Sequence, residues 1–174
     1  LARKKHSQEQ LDRIELEAER LNDLISQILA MPENQHARNS ELDIAELLQS
    51  IIEENRLEAD TKQVNLTLNS ATDTRFLILA NAEQLRSALE IVVRNAIHYT
   101  DSNSTVTVEL DKQDGRYQIS VEDEGPGVPT TDLTMIFEPF YRVDPARNRK
   151  TGGYGVGLAI VKRTIEIHLS LIHI

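Results

Sequence analysis

The chain has 174 residues, of which 40% are apolar, and this is enough for one ordinary hydrophobic core with an appended element. Its formal charge of -9 argues against nucleic acid as a partner, because phosphate backbones are bound by clustered Lys and Arg. An anionic ligand would need Mg²⁺ and a locally basic loop. The absence of cysteine excludes a disulfide framework. No run of 18 apolar residues is present, so the sequence predicts no membrane span.

The first element is a helix from residue 7 to about 31, which contains no Gly or Pro. Its apolar residues alternate at spacings of three and four, which indicates a heptad seam: Leu11, Ile14, Ala18, Leu21, Ile25 and Ile28. Such a seam needs a covering helix, from a second chain in an intermolecular bundle or, less favoured, from the same domain. Pro32 ends the helix, so we place a helical region at 1–33, a polar linker at 34–40 and a second domain at 41–174.

The second domain begins with a predicted helix capped by Asp43, whose apolar face holds Ile44, Leu47, Leu48, Ile51 and Ile52. Strands are predicted at 64–68 and 76–79. A helix at 82–99 follows, with these residues facing inward: Leu85, Ala88, Leu89, Val92 and Ala96. Alternating apolar residues at 106–110 and 117–121 predict an antiparallel hairpin around Asp114-Gly115. The predicted fold class is α+β: a two-layer α/β sandwich, with a mixed sheet covered by helices on one face, preceded by a long coiled-coil-type helix.

An acidic glycine motif, Asp123-Glu124-Gly125-Pro126-Gly127, follows the hairpin. Asp123 has the strand parity of the apolar residues before it, so its carboxylate is expected to point toward the core, where it needs a hydrogen-bond donor. Gly125 and Gly127 would let the backbone turn sharply and approach a ligand closely. The alternative is a simple turn in which Asp123 caps the next segment. An EF-hand calcium loop does not fit the spacing.

On the helix at 82–99, a rotation of 100° per residue puts Ile91, Asn95 and His98 in one narrow sector. The neutral carbonyl oxygen of Asn95 suits Mg²⁺ that is also bound by phosphate oxygens. Glu90 projects about 140° away from Asn95 and is not expected to assist. The alternative to a ligand-binding role is that Asn95 is an ordinary exposed asparagine of the helix and that His98 is a solvated histidine.

Two of the three Phe residues, with a Tyr, are concentrated at 137–141, and these aromatics are expected to anchor the core. A basic segment follows, carrying Arg142, Arg147, Arg149 and Lys150. It leads into Gly152, Gly153, Gly155 and Gly157, directly before an apolar stretch that starts at Leu158 and predicts a helix to about residue 169. Backbone amides in a glycine turn at a helix N-terminus form an anion site. The pattern matches neither a dinucleotide-binding fingerprint nor a P-loop.

Taken in order, the four stretches around Asn95, 123–127, 136–142 and 153–157 resemble the N, G1, F and G2 boxes of sensor histidine kinases, whose ATP-binding catalytic domain is of the GHKL or Bergerat type. The nearest likeness is to the envelope-stress (Cpx-type) sensor kinases. The resemblance implies ATP and Mg²⁺ as cofactors. It assigns the metal to Asn95 and the nucleotide to the following residues: Asn95, His98, Tyr99, Asp123, Gly125, Gly127, Phe137, Phe140, Arg142, Gly153, Gly155, Gly157 and Leu158.

In that family the γ-phosphoryl group of ATP passes to a histidine on a helical hairpin and then to an aspartate of a response regulator receiver domain. The resemblance makes 1–33 the C-terminal part of the dimerisation and histidine-phosphotransfer hairpin, through which we expect a homodimer. No histidine of this chain has the family's phosphoacceptor pattern, so we expect no catalytic acceptor here: His6, His36, His98, His168 and His173. The first residue is not Met, so the chain is expected to be the cytoplasmic fragment of a protein anchored upstream in a bacterial inner membrane.

Two departures from the family leave other functions open. Ile91 stands four residues before Asn95, where many relatives carry a polar residue, so turnover is expected to be impaired. ATPases that transfer the phosphoryl group to water, such as chaperones and topoisomerases, place a glutamate at this position. The isoleucine of this chain argues against that function. A noncatalytic dimerisation or nucleotide-sensing module is the remaining alternative. The chain is also expected to lack the final strands of the family fold after residue 169, which would leave an open sheet edge and marginal stability.

Overall fold

The computed structural model describes residues 40–70, 75–113, 115–143 and 155–168. Several predictions lie outside these residues: the heptad helix, the domain at 1–33, the linker up to residue 39, Gly153, the basic residues at 147–150 and the stretch after 168. Where the chain is described, it forms two layers, with helices packed on one face of a sheet. The predicted α+β sandwich is confirmed.

Three helices are described: α1 spans Ile44–Lys62, α2 spans Ala82–Tyr99 and α3 spans Gly157–Ile167. Asp43 caps α1 as predicted, its Oδ1 accepting a hydrogen bond from the Ala45 N–H at 3.0 Å. Asn81 caps α2 in the same way, through the N–H of Gln84. The capped α2 has the bounds that the sequence predicts.

Five strands are described: β1 Ser40–Asp43, β2 Asn65–Ser70, β3 Leu77–Ala80, β4 Thr105–Gln113 and β5 Arg116–Asp123. β2, β4 and β5 form a sheet in the order β2-β4-β5, with β2 parallel and β5 antiparallel to β4. β1 and β3 pair antiparallel as a separate ribbon. The sheet is therefore mixed, as expected. β1 is not predicted from the sequence, because its four residues lie between the predicted end of the linker and the predicted cap of α1.

The core lies between the sheet and the helices. Seven residues that are at most 1% exposed form its centre: Leu48, Ile51 and Ile52 of α1, Val93 and Ile97 of α2, and Val106 and Val108 of β4. Complete burial of such a side chain contributes about 1.5–3 kcal/mol. Four of the five residues predicted to face inward on α2 are buried; Val92 is only half-buried, and Val93 and Ile97 are buried as well. The buried face is wider than predicted because α2 packs against α1 and α3 as well as the sheet.

Candidate functional site

The C-terminal end of α2 is joined to the turn after β5 by two close contacts. The N–H of Glu124 donates to Thr100 Oγ1 at 3.2 Å. A Cβ on Gly125 would lie 2.8 Å from the carbonyl oxygen of Tyr99 and 2.6 Å from Asp123 Oδ1, so only glycine fits there. Gly127 has φ +69° and open space around it. The expectation that these glycines permit a sharp turn agrees with this geometry, and their close approach to a ligand stays a prediction.

The carboxylate of Asp123 is exposed, and the expectation that it is buried is wrong. Asp123 pairs with the fully buried Val106, but it is the last residue of β5, where the chain turns away from the sheet. Its Oδ1 accepts the Gly125 N–H at 2.8 Å, which is the capping turn considered as the alternative. The acceptor atoms of Asp123 not used in this bond face solvent and can receive a ligand donor.

The other end of this face of α2 meets the start of α3. Ile91 Cγ2 is 3.1 Å from the position of a Cβ on Gly157, so the isoleucine packs directly against the first residue of α3. Asn95 lies one helical turn beyond Ile91 and is half-buried. Its side-chain amide has no hydrogen-bond partner among the described residues. Asn95 thus stands between the two glycine segments with its oxygen available.

The N-terminus of α3 has no side-chain cap among the described residues. Its cap residue, Val156, is buried and supplies no side-chain hydrogen bond to the first amides. Gly155, just before it, has φ +72°. Gly157 and Leu158 occupy the first two positions of the helix and are half-buried. Free amides at a helix N-terminus favour an anionic ligand.

A segment at 128–143 connects the two glycine turns. Ile136, in a 3₁₀ turn at Met135–Phe137, is its buried anchor. Phe137 is half-buried, with Lys162 Nζ 5.9 Å from its ring centroid. Phe140 is 64% exposed, so the expectation that it anchors the core is wrong. Its backbone has φ +68°, which turns the side chain outward, while its N–H donates to the Gly155 carbonyl at 2.8 Å.

The side chain of Arg142 is half-buried and close to Gly155, where its Cγ would lie 3.0 Å from an added Cβ. Arg142 is therefore the one residue of the predicted basic segment that the structure places near the glycine turn. The later basic residues at 147–150 are not among those described.

His98 lies on the side of α2 that faces α1, in an open groove of about 530 Å³ with Glu58 and Lys62. Burial lowers the pKa of its imidazole, and the charges of Lys62 and Arg94 lower it further against the opposing effect of Glu58. Its ring packs edge-on against Tyr99, which is 50% exposed, at a centroid distance of 5.0 Å. His98 shares a helix sector with Ile91, but its described contacts are with α1 and Tyr99, whereas Ile91 contacts α3.

Neither of the two grooves found among the described residues lies at the glycine turns. The groove beside His98 and a second one of about 290 Å³ near Asp43 and Arg86 lie elsewhere. No group of three His, Cys, Asp or Glu side chains capable of holding a metal is found in the described part. A metal at Asn95 would therefore fit only as an ion that arrives bound to phosphate oxygens. Over the same residues, no helix is long and apolar enough to cross a membrane.

Three structural residues of the site were missed from sequence. Lys62 Nζ donates to the carbonyl oxygens of Ile97, His98 and Thr100 at 2.8, 2.5 and 2.5 Å, and so holds the end of α2. Asp132 Oδ1 accepts a hydrogen bond from the Tyr141 hydroxyl, and Thr100 Oγ1 accepts one from the N–H of Glu124. A lysine in the last turn of a helix was a visible signal for Lys62. Nothing local marks Asp132 or Thr100, whose partners are distant in sequence.

The family is defined by comparison with known proteins. The sequence profile described as "Histidine kinase-, DNA gyrase B-, and HSP90-like ATPase" matches residues 80–173, slightly more than half of the chain. The chain belongs to this family. The resemblance drawn from the four motifs is thereby confirmed.

Its relatives are sensor histidine kinases. Sensor histidine kinase CpxA of Escherichia coli strain K12 is 38% identical over 171 residues, covering 97% of this chain and 37% of that protein. The mycobacterial sensor histidine kinase MprB aligns with a TM-score of 0.65 and 26% identity over 75% of this chain and 80% of that one. Full-length ShkA in complex with AMPPNP aligns with a TM-score of 0.71 and 28% identity, over 84% of this chain and 31% of that one. The chain thus spans little more than a third of the curated relative.

Proposed function

We propose that this chain is the ATP-binding catalytic region of a sensor histidine kinase, which binds Mg-ATP and donates its γ-phosphoryl group to a histidine on a helical hairpin. The supporting observation is the position of Asn95. It lies on α2 between Ile91, which contacts the start of α3, and Tyr99, which contacts the turn at Gly125. The eight residue steps from Ile91 to Tyr99 span about 12 Å of helix, so a single ligand along this face can reach both glycine segments.

In this proposal Asp123 accepts a hydrogen bond from the adenine amine, and Gly125 and Gly127 let the turn approach the base. Asn95 supplies one oxygen to a Mg²⁺ that the phosphates carry in. Gly153, Gly155, Gly157 and Leu158 bring backbone amides to the phosphates, with Arg142 beside them. Tyr99 borders the base end, and Phe137 and Phe140 support the cover over the nucleotide. His98 is given no contact with the nucleotide, because it lies in the groove against α1.

Phosphoryl transfer needs charge neutralisation and positioning from these nucleotide-binding groups, since none of them forms a covalent bond to the phosphate. Bound Mg²⁺ neutralises charge on the transferred group. The structural neighbour ShkA was solved with AMPPNP, a nonhydrolysable ATP analogue, which supports an adenine nucleotide as the ligand. The phosphoryl acceptor would be a histidine supplied by a hairpin of the kind proposed for 1–33, and the next acceptor a response regulator receiver domain. We propose homodimerisation through the helix at 1–33 and membrane anchoring of the parent protein.

The test is a transfer assay. The chain is mixed with Mg-ATP and a separately supplied acceptor hairpin, and the product is examined for an acid-labile, base-stable phosphoryl group. Labelling of the hairpin that is lost in an Asn95→Ala variant supports the kinase. Asn65→Ala, on the exposed end of β2, is a matched control that should label normally. Release of free phosphate without labelling would instead support an ATPase.

A nucleotide-sensing module without turnover is the second candidate, and one contact favours it. Ile91 fills the space against Gly157, where a polar side chain could hold a water of the metal. Tight binding of Mg-ATP with neither labelled hairpin nor free phosphate would support this reading. If Ile91→Asn then produced labelling, the isoleucine would be identified as the residue that limits turnover.

A further inference from the structure

Asp132 is a junction in the segment at 128–143. Its carbonyl oxygen accepts the N–H groups of Met135 at 2.8 Å and Ile136 at 3.0 Å, and so starts the 3₁₀ turn. Its own N–H donates to the Pro129 carbonyl at 2.8 Å. Its Oδ1 accepts the phenolic O–H of Tyr141 at 2.9 Å. One residue therefore fixes both the beginning and the end of the segment.

Tyr141 transmits this constraint to the glycine turn before α3. The Phe140 N–H donates to the Gly155 carbonyl, and the carbonyl oxygen of Tyr141 occupies the space where a Cβ on Gly155 would lie. Gly155 also has the left-handed φ of +72° that glycine adopts most easily. The backbone at 140–141 and that at 155 are thus packed against each other with no side chain between them.

From these contacts we propose that Asp132 and Tyr141 form a latch, a pair of positioning residues that holds the Gly155 turn in place for the phosphates. This inference rests on the proposed function, because it assumes that the turn meets the phosphate end of a nucleotide. The latch lies away from Asp123 and Gly125, which meet the opposite end of α2. It therefore acts on the phosphates and not on the adenine.

The latch is separable from the apolar packing of the segment. Ile136 is the buried anchor there, whereas Asp132 and Tyr141 are half-buried, so loss of the hydroxyl leaves the anchor intact. The hydrogen bond to Asp132 raises the pKa of the Tyr141 phenol. A tyrosine phenol is protonated, and able to donate, throughout the neutral pH range.

The test compares AMPPNP with adenosine, each titrated calorimetrically in the presence of Mg²⁺. In Tyr141→Phe, which removes only the donor, we expect AMPPNP to bind about 3- to 10-fold more weakly and adenosine to bind unchanged. Asp132→Ala should behave alike, while Asp132→Asn, which retains an acceptor oxygen, should recover most of the AMPPNP affinity. Tyr117→Phe makes the same chemical change on β5, where the ring packs against Phe76, and should alter neither affinity.

The possible results separate this inference from the function on which it rests. If the unmodified chain binds adenosine and AMPPNP but Tyr141→Phe binds AMPPNP equally well, the latch is wrong and the nucleotide site stands. Equal weakening of both ligands would also overturn it, because it would indicate general damage to the fold. If the unmodified chain binds neither ligand, the proposed function itself fails.

Discussion

Asp123 illustrates how a strand pattern can identify a residue and mistake its environment. Alternation along β5 places it on the side of Tyr117, Ile119 and Val121, which do face the core. The pattern cannot indicate where the helices stop covering the sheet. Asp123 therefore faces open space, with one oxygen committed to Gly125. The exposed position suits a residue that binds an exchangeable ligand, because no buried charge has to be compensated when the ligand leaves.

Replacing Asp123 with Asn should weaken adenine-nucleotide binding by about 10-fold, since a hydrogen bond to a charged acceptor contributes about 1.5–3 kcal/mol. The measurement is titration calorimetry with AMPPNP, with Asp60→Asn on the exposed surface of α1 as the control. An unchanged affinity would remove Asp123 from the site.

Gly125→Ala should destabilise the turn and weaken nucleotide binding, because the added methyl would press on Asp123 Oδ1 and the Tyr99 carbonyl. We expect a loss of about 1–3 kcal/mol in unfolding free energy. Gly115→Ala is the matched control: φ is +79°, no atom lies within 4 Å, and the position is far from the site. That control should lose about 1 kcal/mol of stability from its backbone strain and keep full nucleotide affinity. Equal nucleotide affinity in the two variants would contradict the role given to Gly125.

At the scale of elements, α2 is the piece that the sequence predicts best and that organises the site. The helical spacing of its apolar residues predicts the bounds that the 18-residue helix has, and Asn81 caps it in the structure. The contacts that fix its end are not local: Lys62 is 35 to 38 positions away from its three carbonyl partners. Such contacts form only in the packed fold, and they produce no periodic pattern in the sequence from which they could be predicted. β1 escaped prediction for a similar reason, since four polar-looking residues become a strand only beside β3.

Lys62→Met should lower the free energy of unfolding by about 1.5–3 kcal/mol, because three carbonyl groups at the end of α2 lose a charged donor. Urea denaturation measures this loss. Lys112→Met, on the exposed end of β4 above the Tyr117 ring, provides the comparison and should change stability by no more than about 1 kcal/mol. If the two variants were equally stable, Lys62 would not be holding α2.

The groove between α1 and α2 should make stability depend on pH. The folded state lowers the pKa of His98 below its ordinary value near 6.5, so it favours the neutral imidazole. The unfolded chain then binds the proton more readily, and the His98 contribution to stability is present above pH 6.5 and lost as the pH falls through the lower folded value. Denaturation midpoints between pH 7.5 and 5 should fall more steeply for the unmodified chain than for His98→Gln. Parallel pH profiles would contradict this assignment.

At the scale of the whole molecule, the two-layer architecture and four motifs in order were sufficient to predict the family. The mixed sheet, the side it presents to the helices and the hairpin of β4 and β5 all follow from periodicity and turn residues. The arrangement of 128–143 did not follow, since Phe140 was expected inside and is exposed. An aromatic cluster indicates burial by composition, but the left-handed φ at Phe140 reverses the direction of its side chain.

Nucleotide binding should stabilise the entire fold, because the ligand contacts groups from α2, from the turn after β5 and from α3. At 100 times the dissociation constant, Mg-ATP would add about 2.7 kcal/mol, which corresponds to a rise in melting temperature on the order of 5–10 °C. Thermal denaturation followed by circular dichroism measures the shift. It should be absent with Mg²⁺ alone and reduced in Asp123→Asn at the same ATP concentration. A melting temperature unaffected by Mg-ATP would exclude a site that unites these elements.

The parallel pairing of β2 with β4 has a consequence for how the chain acquires its structure during synthesis. Asn65 pairs with Thr105, so 40 further residues must leave the ribosome before the first rung of that ladder can close. Until then β2 has no strand partner, and Leu66 and Leu68 lack the β4 neighbours that they have in the folded chain. Early α1 and α2 contacts can form without β4, and they would shield this strand from other nascent chains while translation proceeds.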